Sequence, residues 1–412
     1  MKYRHVLIAA TLFCSICCCI TIVARAETIG GYAAMGDSLT QGSTLAGSWV
    51  PHLVTDRGFN FGGSGNPYNV AVGGATSSSL LSGGQHTAVA TQVAANNVDL
   101  AYLMIGGNDI LAVGTQIIDG SLTGGALDTF VNNMVANIAT AADTVLAAGP
   151  VGLVVVGVPD VSLIPAGLAL IDSPVKKQRV VDATDQMTAA IAAMAAARWL
   201  PFVDLAQAQR DMDALPSLVV GGVTINETVP SSNPHHLFQD AIHPGAVGNG
   251  LIANMLLTAV NVPYCTEFVP LSDLEILQNA GLSGEYTGET LTLDYTDYVV
   301  FTPVEGDVDG DRDIDFTDFL MLQVGYGITS GAHRCDGDLD DDGDVDFQDF
   351  LILQVHFGAD QADHAFGSSS SLITAVPEPS TLALAVGAVI TIALGRRSRN
   401  RWVRQAKRGR TI

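Results

Sequence analysis

Tyr32-Ala33-Ala34-Met35-Gly36-Asp37-Ser38-Leu39-Thr40 is an apolar run that breaks directly into a small polar turn. Four consecutive apolar residues have the length of a buried strand. Glycine, aspartate and serine in succession have the chemistry of a tight turn. A strand apolar on both faces belongs to a parallel sheet covered on both sides. A serine on the turn after it stands at the carboxyl end of the strand, where such sheets collect their chemistry.

Further along, the same grammar recurs. Short apolar runs at 68–72, 100–105, 152–156 and 202–203 alternate with helix-length stretches at 49–56, 87–96, 125–148, 175–198 and 245–260. This alternation predicts an α/β domain over 27–264, with one parallel sheet between helices. Three more polar motifs follow strand ends or precede the last helix. They are Asn69-Val70-Ala71-Val72-Gly73-Gly74, Gly106-Gly107-Asn108-Asp109 and Asp240-Ala241-Ile242-His243-Pro244.

Together these residues can perform nucleophilic hydrolysis. A serine hydroxyl is a weak nucleophile and needs an adjacent base. An imidazole titrates near neutrality, so His243 can take that proton. Asp240, three residues upstream, can orient the ring. The oxyanion needs preorganised donors, and the amides of Ser38 and Gly74 with the Asn108 side chain are the candidates. Either Gly73 or Gly74 could supply the second amide. A G-x-S-x-G elbow is absent, which disfavours an α/β-hydrolase. Ser77–Ser79 read as loop serines and His235 and His236 as loop histidines. Asp240 and His243 lack the third residue of a metal site.

The four blocks, in this order over about 210 residues, resemble the GDSL or SGNH esterase/lipase family. That resemblance implies a three-layer α/β/α, flavodoxin-like fold and hydrolysis of acyl esters without a catalytic cofactor. It implies Ser38 as nucleophile, Asp240 and His243 as its partners, and Ser38, Gly74 and Asn108 as the oxyanion hole. The stretch 156–160 resembles a further strand-end block of the lipase-like branch.

Beyond 264 the pattern changes. Residues 265–304 hold two short strand-like runs, 291–295 and 298–302, in a linker or small β element. Residues 306–327 and 337–358 then repeat each other with 14 of 22 positions identical. Each copy sets aspartates on alternate residues: Asp307, Asp309, Asp311, Asp313 and Asp318, then Asp338, Asp340, Asp342, Asp344 and Asp349. Carboxylates so spaced converge on a hard cation such as Ca²⁺, and without one they repel. An apolar run after each loop supplies one helix to bury. The pair of loop–helix units at 305–360 resembles a type I dockerin, a small α-helical domain. That implies two Ca²⁺ ions and docking to a cohesin-like partner. Arg312 departs from the pattern by standing where the loop's sixth position takes glycine for its sharp turn.

Both ends of the chain are basic. Residues 1–26 have a basic start, an apolar run and Ala24-Arg25-Ala26, the form of a cleavable secretory leader. Cys265 and Cys335 are the cysteines that remain outside it; export permits a disulfide between them, but two separate thiols fit equally. At the other end, a serine-rich spacer (361–375) precedes Val376-Pro377-Glu378-Pro379, thirteen apolar residues (382–394) and eight Lys/Arg. This trio at 376–412 resembles the PEP-CTERM sorting signal, which implies processing by an exosortase and a place at the cell surface or outside the cell.

Composition excludes other classes. With 19 Lys+Arg against 42 Asp+Glu the net charge is −23, the wrong sign for nucleic acid. Hydrophobic residues at 48% exclude wholesale disorder. The expectation is an exported serine esterase acting on a lipid, a simple ester or an acetylated polysaccharide. A non-catalytic surface or scaffold protein is the alternative of another class.

Overall fold

The central sheet of the computed structural model, which describes residues 30–358, grows from runs that are apolar on both faces. Its strands β1 (Tyr32–Gly36), β2 (Leu100–Met104) and β3 (Gly152–Val156) are buried almost throughout. They pair in parallel in that order, and β3 pairs in parallel with β4 (Phe202–Val203). Close packing explains the glycine that opens β3. A Cβ on Gly152 would lie 2.6 Å from Leu100 Cδ1.

The run at 68–72 is less than the strand expected. It makes one parallel bridge, Ala34 with Asn69, with three backbone hydrogen bonds: Ala34 N to Tyr68 O (3.0 Å), Val70 N to Ala34 O (2.8 Å) and Val72 N to Gly36 O (3.1 Å). The Asn69 side chain instead donates to Thr40 O at 2.7 Å, and the chain leaves at Gly73-Gly74. This rudimentary strand lies beside β1, outside the sheet's main run. The chain therefore winds one way from β1 and then back across it, as a flavodoxin-like order requires.

Helices cover both faces. On one side lie α3 (Ser77–Ser82), α4 (Gln85–Ala94), α5 (Gly107–Asp119), α6 (Gly125–Leu146) and α8 (Pro174–Ala196), packed on one another. On the other, α10 (Ala246–Tyr264) packs against β3, β4 and α2 (Val50–Arg57). Short α1 (Ser38–Gln41), α7 (Pro165–Leu168) and α9 (Leu205–Ala214) follow the carboxyl ends of β1, β3 and β4. α10 is long and apolar enough to cross a membrane by length and composition, yet most of it is buried in this core. A small hairpin, β5 (Leu218–Val220) with β6 (Val223–Ile225), completes the region.

Of the two readings of 265–304, the structure shows the packing element. Leu271, Ile276, Leu277, Leu282 and Tyr298 are buried in the same core as the sheet. α11 (Asp273–Asn279) packs on α10, and β7 (Val299–Val300) adds an antiparallel edge strand beside β4. Of the two expected strands, 291–294 is irregular and only Val299–Val300 is extended in the sheet. Side chains hold this segment where periodicity is missing. The buried Asp273 carboxylate accepts from Gly221 N, Thr290 N and Leu291 N at 2.7–2.9 Å. Arg57 forks onto Glu275 at 3.0 and 3.1 Å, and this pairing holds the Glu275 carboxyl down to about 2.

The acidic repeats each give a loop and a helix, α12 (Phe316–Gly325) and α13 (Phe347–His356). Phe319 and Phe350, 31 positions apart, meet edge-on at 6.3 Å between the two. Cys265 and Cys335 form a disulfide, which closes the question left by their spacing. The leader at 1–26 and the segments at 361–375 and 376–412 lie outside the described residues.

Candidate active site

Ser38 is placed by the turn that follows β1. Gly36 must be glycine, because a Cβ there would lie 2.1 Å from Met104 O on the neighbouring strand. Asp37 then caps α1, its Oδ1 accepting from Leu39 N at 3.0 Å, and Ser38 is the first residue of that short helix. The hydroxyl is thereby held at the carboxyl end of the sheet.

The loop before α10 brings the other two groups. Ser38 Oγ donates to His243 Nε2 at 2.8 Å. His243 Nδ1 donates to Asp240 Oδ2 at 2.8 Å and lies 3.0 Å from Oδ1. Asp240 Oδ1 also accepts from Ile242 N and His243 N, both at 2.8 Å, so the carboxylate is fixed before it meets the ring. Partial burial works to raise the Asp240 carboxyl, but these backbone bonds and the imidazole outweigh it and hold the group below its usual range. The expected relay of serine, imidazole and carboxylate is brought together with hydrogen-bonding geometry at each step.

The remaining candidates gather round Ser38. Gly73 N donates to Gln41 Oε1 at 2.7 Å, so its amide is engaged. Gly74 follows with φ +77°, a left-handed conformation natural to glycine, and nothing stands within 4 Å of where its Cβ would be. Of the pair, Gly73 is therefore the one whose amide is already taken. Gln41, one turn after the serine, does this sorting, and no motif in the sequence marks it. Asn108 opens α5 and lies beside Ser38 in one cleft. Its Nδ2 donates to Ala75 O at 3.0 Å and to Asp37 Oδ2 at 3.3 Å. Burial pushes the Asp37 carboxyl up to about 6, with bonds from Leu39 and the charge of His243 opposing and Asp109 adding to the rise.

One other reading changes. Ser77–Ser79 open α3 and are not loop serines: Thr76 caps the helix, and Ser77 donates through N and Oγ to the Asp109 carboxylate, both at 2.7 Å. That bond fixes α5 behind Asn108. His235 pairs with Glu285 at 3.0 Å and His236 Nδ1 bonds Val229 O at 2.6 Å, so both pin loops. In the stretch 156–160, Pro159 forms part of the cleft wall. Asp160, buried, holds the turn through Arg210 at 2.7 Å.

The cleft itself is apolar. Leu39, Leu111, Val161, Leu251 and Met255 line it, with polar groups mainly at the serine end.

The acidic loops lie elsewhere, with the first against the amino ends of β2 and β3. The carboxylates of Asp307, Asp309 and Asp311 offer oxygens within 4.8 Å of one another, as do those of Asp338, Asp340 and Asp342. Asp313 with Asp318, and Asp344 with Asp349, form two further such groups, joined by Asp315 and Asp346. Burial, with neighbouring carboxylates adding, pushes Asp307 up to about 7 and raises Asp309, so the bare cluster resists carrying its full charge. An all-oxygen set of this kind fits a hard divalent cation.

The GDSL-like Lipase/Acylhydrolase family matches residues 34–251. No curated protein matches the chain. Among solved structures, an acetylxylan esterase from Geobacillus stearothermophilus is similar at 15% identity over 56% of this chain and 94% of that one, with a TM-score of 0.36. An extracellular lipase from Streptomyces rimosus is similar at 20% identity, covering 53% of this chain and 94% of that one, with a TM-score of 0.37. A phospholipase A1 from Streptomyces albidoflavus shares 21% identity over 54% and 95% of the two chains, with a TM-score of 0.35.

Proposed function

The chain belongs to the GDSL-like lipase/acylhydrolase family and is an ester-bond hydrolase, and from that premise we propose that Ser38 is its nucleophile, His243 its base and Asp240 the group that orients the base. The supporting observation is the unbroken chain from Ser38 Oγ through both ring nitrogens to the Asp240 carboxylate, each link 2.8 Å.

Ser38 Oγ attacks the ester carbonyl carbon as its proton passes to His243 Nε2. The charge that develops on the carbonyl oxygen is met by the amides of Ser38 and Gly74 and by Asn108 Nδ2, which exchanges its 3.3 Å contact with Asp37 for the substrate. The imidazolium then gives its proton to the leaving alcohol oxygen. A water, deprotonated by the same nitrogen, attacks the acyl-serine; the C–Oγ bond breaks, Nε2 returns the proton to Ser38 Oγ, and the acid leaves. Asp240 stays ionised throughout and steadies the imidazolium.

The test is Ser38→Ala beside wild type on p-nitrophenyl esters, with fluorophosphonate labelling. Turnover should fall by ~10⁴-fold or more while the circular dichroism spectrum is unchanged. Labelling elsewhere, or activity retained by the folded variant, would remove Ser38 from this role.

The acidic repeats are read as a dockerin-like module holding two Ca²⁺ ions and tethering the enzyme to a cohesin-like partner. What supports the ions is the fourfold convergence of aspartate oxygens. The leader and the Pro-Glu-Pro tail support export, with exosortase processing, to the cell surface or beyond. Recovery of the protein solely from the cytosolic fraction would overturn the export reading.

A further inference from the structure

We infer that the cleft beside Ser38 binds a long aliphatic chain of the ester, and that Leu111 and Val161 set the chain length accepted. The inference rests on Ser38 being the nucleophile.

The cleft is narrow, about 60 Å³, and open at its mouth. Its polar groups are Asp37, Ser38 and Asn108 at the reacting end and Gln209 further in. Gln209 is engaged, its Oε1 accepting from Asp160 N at 2.6 Å. Beyond them the walls are hydrocarbon and thioether, with Leu205, Met212, Leu251 and Met255 nearly wholly buried. A sugar ring carries a hydroxyl on almost every carbon, and against such walls each would lose its water without a partner. A methylene chain has nothing to leave unpaired, and each methylene buried strengthens binding roughly fourfold. Met212 and Met255 are unbranched and polarisable, suited to packing a chain of variable shape.

A second apolar groove adjoins the first. Ile110, Ile117, Leu170, Ile171 and Val180 line it, and Leu111 and Val161 belong to both. Those two side chains are thus the partition between the cavities. Leu111 stands three residues after Asn108 on α5, so it shares that helix face and extends from the oxyanion site. Val161 follows Pro159 at the end of β3. Leu170, 53% exposed, opens the far groove to the surface. A short chain ends at the partition, and a longer one must pass it.

The experiment uses the full chain and two ester series. One varies the acyl half: p-nitrophenyl acetate, butyrate, octanoate and laurate. The other varies the alcohol half: ethyl and dodecyl acetate. Acetylated xylo-oligosaccharide is the carbohydrate probe. Serine-dependent kcat/KM should rise at least tenfold along one aliphatic series, and which series responds says which half of the ester the cleft holds. Val161→Ala and Leu111→Ala, each removing part of the partition, should raise the laurate-to-octanoate ratio (or its alcohol-side equivalent) at least threefold, and Val161→Phe should lower it. Two independent truncations guard against one that disturbs folding. An optimum at acetyl esters or at the acetylated sugar, abolished by Ser38→Ala, overturns the aliphatic assignment and leaves the nucleophile standing. Variants that scale every chain length alike overturn the partition. Activity surviving in folded Ser38→Ala removes the nucleophile, and this inference with it.

Discussion

Asp37 shows at the scale of one residue how the site is paid for. Its side chain caps the helix that presents Ser38, and its second oxygen holds Asn108. To do so it is 2% exposed, and burial raises its carboxyl from 3.8 to about 6. The folded protein therefore holds a proton on Asp37 between about pH 4 and 6 that the unfolded chain has released. Stability contributed by this group falls as pH rises through that window, and above it the ionised carboxylate costs on the order of 2–3 kcal/mol. Asn keeps the cap and stays neutral. Asp37→Asn should therefore be more stable than wild type by ~2 kcal/mol in urea melts at pH 8, with the advantage gone near pH 4. Equal midpoints at pH 8 would show that the charge is better solvated than its burial implies. The residues proposed as catalytic were legible at this scale because each comes with a local motif. Gln41 was not, since a glutamine that occupies one glycine amide leaves no spacing to read.

Among the elements, α11 and β7 decide between the two readings of 265–304. They fall after the last helix of the α/β alternation, in a stretch with no sustained period. Their burial comes from long-range contacts: Ile276 against α10, Tyr298 in the core, Asp273 gathering three backbone amides. Ile276→Ala should lower stability by ~2–5 kcal/mol and lower the unfolding temperature of the catalytic core itself, followed by loss of esterase activity on heating. A truncation that melted only a peripheral segment, with activity lost at the wild-type temperature, would restore the linker reading. A correction applies to 68–72. An apolar run at a strand position became a single bridge beside β1, while the Asn69 side chain ties it to Thr40 in the helix that carries Ser38.

For the whole molecule, the first acidic loop is seated at the amino ends of β2 and β3, the opposite end of the strands from Ser38. Three links hold the first loop there. They are the Cys265–Cys335 disulfide, Arg312 donating to Val151 O at 2.7 Å, and Arg334 donating to Asp307 O and Pro263 O. Arg312 adopts φ +78° to reach β3, at the loop position where the second repeat has Gly343 at +88°. The residue that broke the loop pattern is a contact to the large domain. Calcium bound at the first loop should then stabilise both parts together. Calorimetry with excess EGTA should lower the melting of the whole molecule by several degrees relative to Ca²⁺, in a coupled transition. Two separate transitions, with the larger one indifferent to chelator, would show the repeats to be an independent module. If neither transition moves, the aspartates do not hold the ion.

Sequence alone determined the parallel α/β core, the strand-end positions of Ser38 and Asn108, the place of Asp240 and His243 before the last helix, and the duplicated acidic loops. Each is encoded over short spans: both-face apolarity for strands, turn residues after them, alternate carboxylates. Tertiary structure alone decided that Gln41 takes the Gly73 amide, that 265–304 adds an edge to the sheet, that Arg312 joins the repeats to the residue before β3, and that an apolar cleft leads away from the serine. These rest on groups tens to hundreds of residues apart, brought together by packing, and packing leaves no periodic trace in the chain that supplies them.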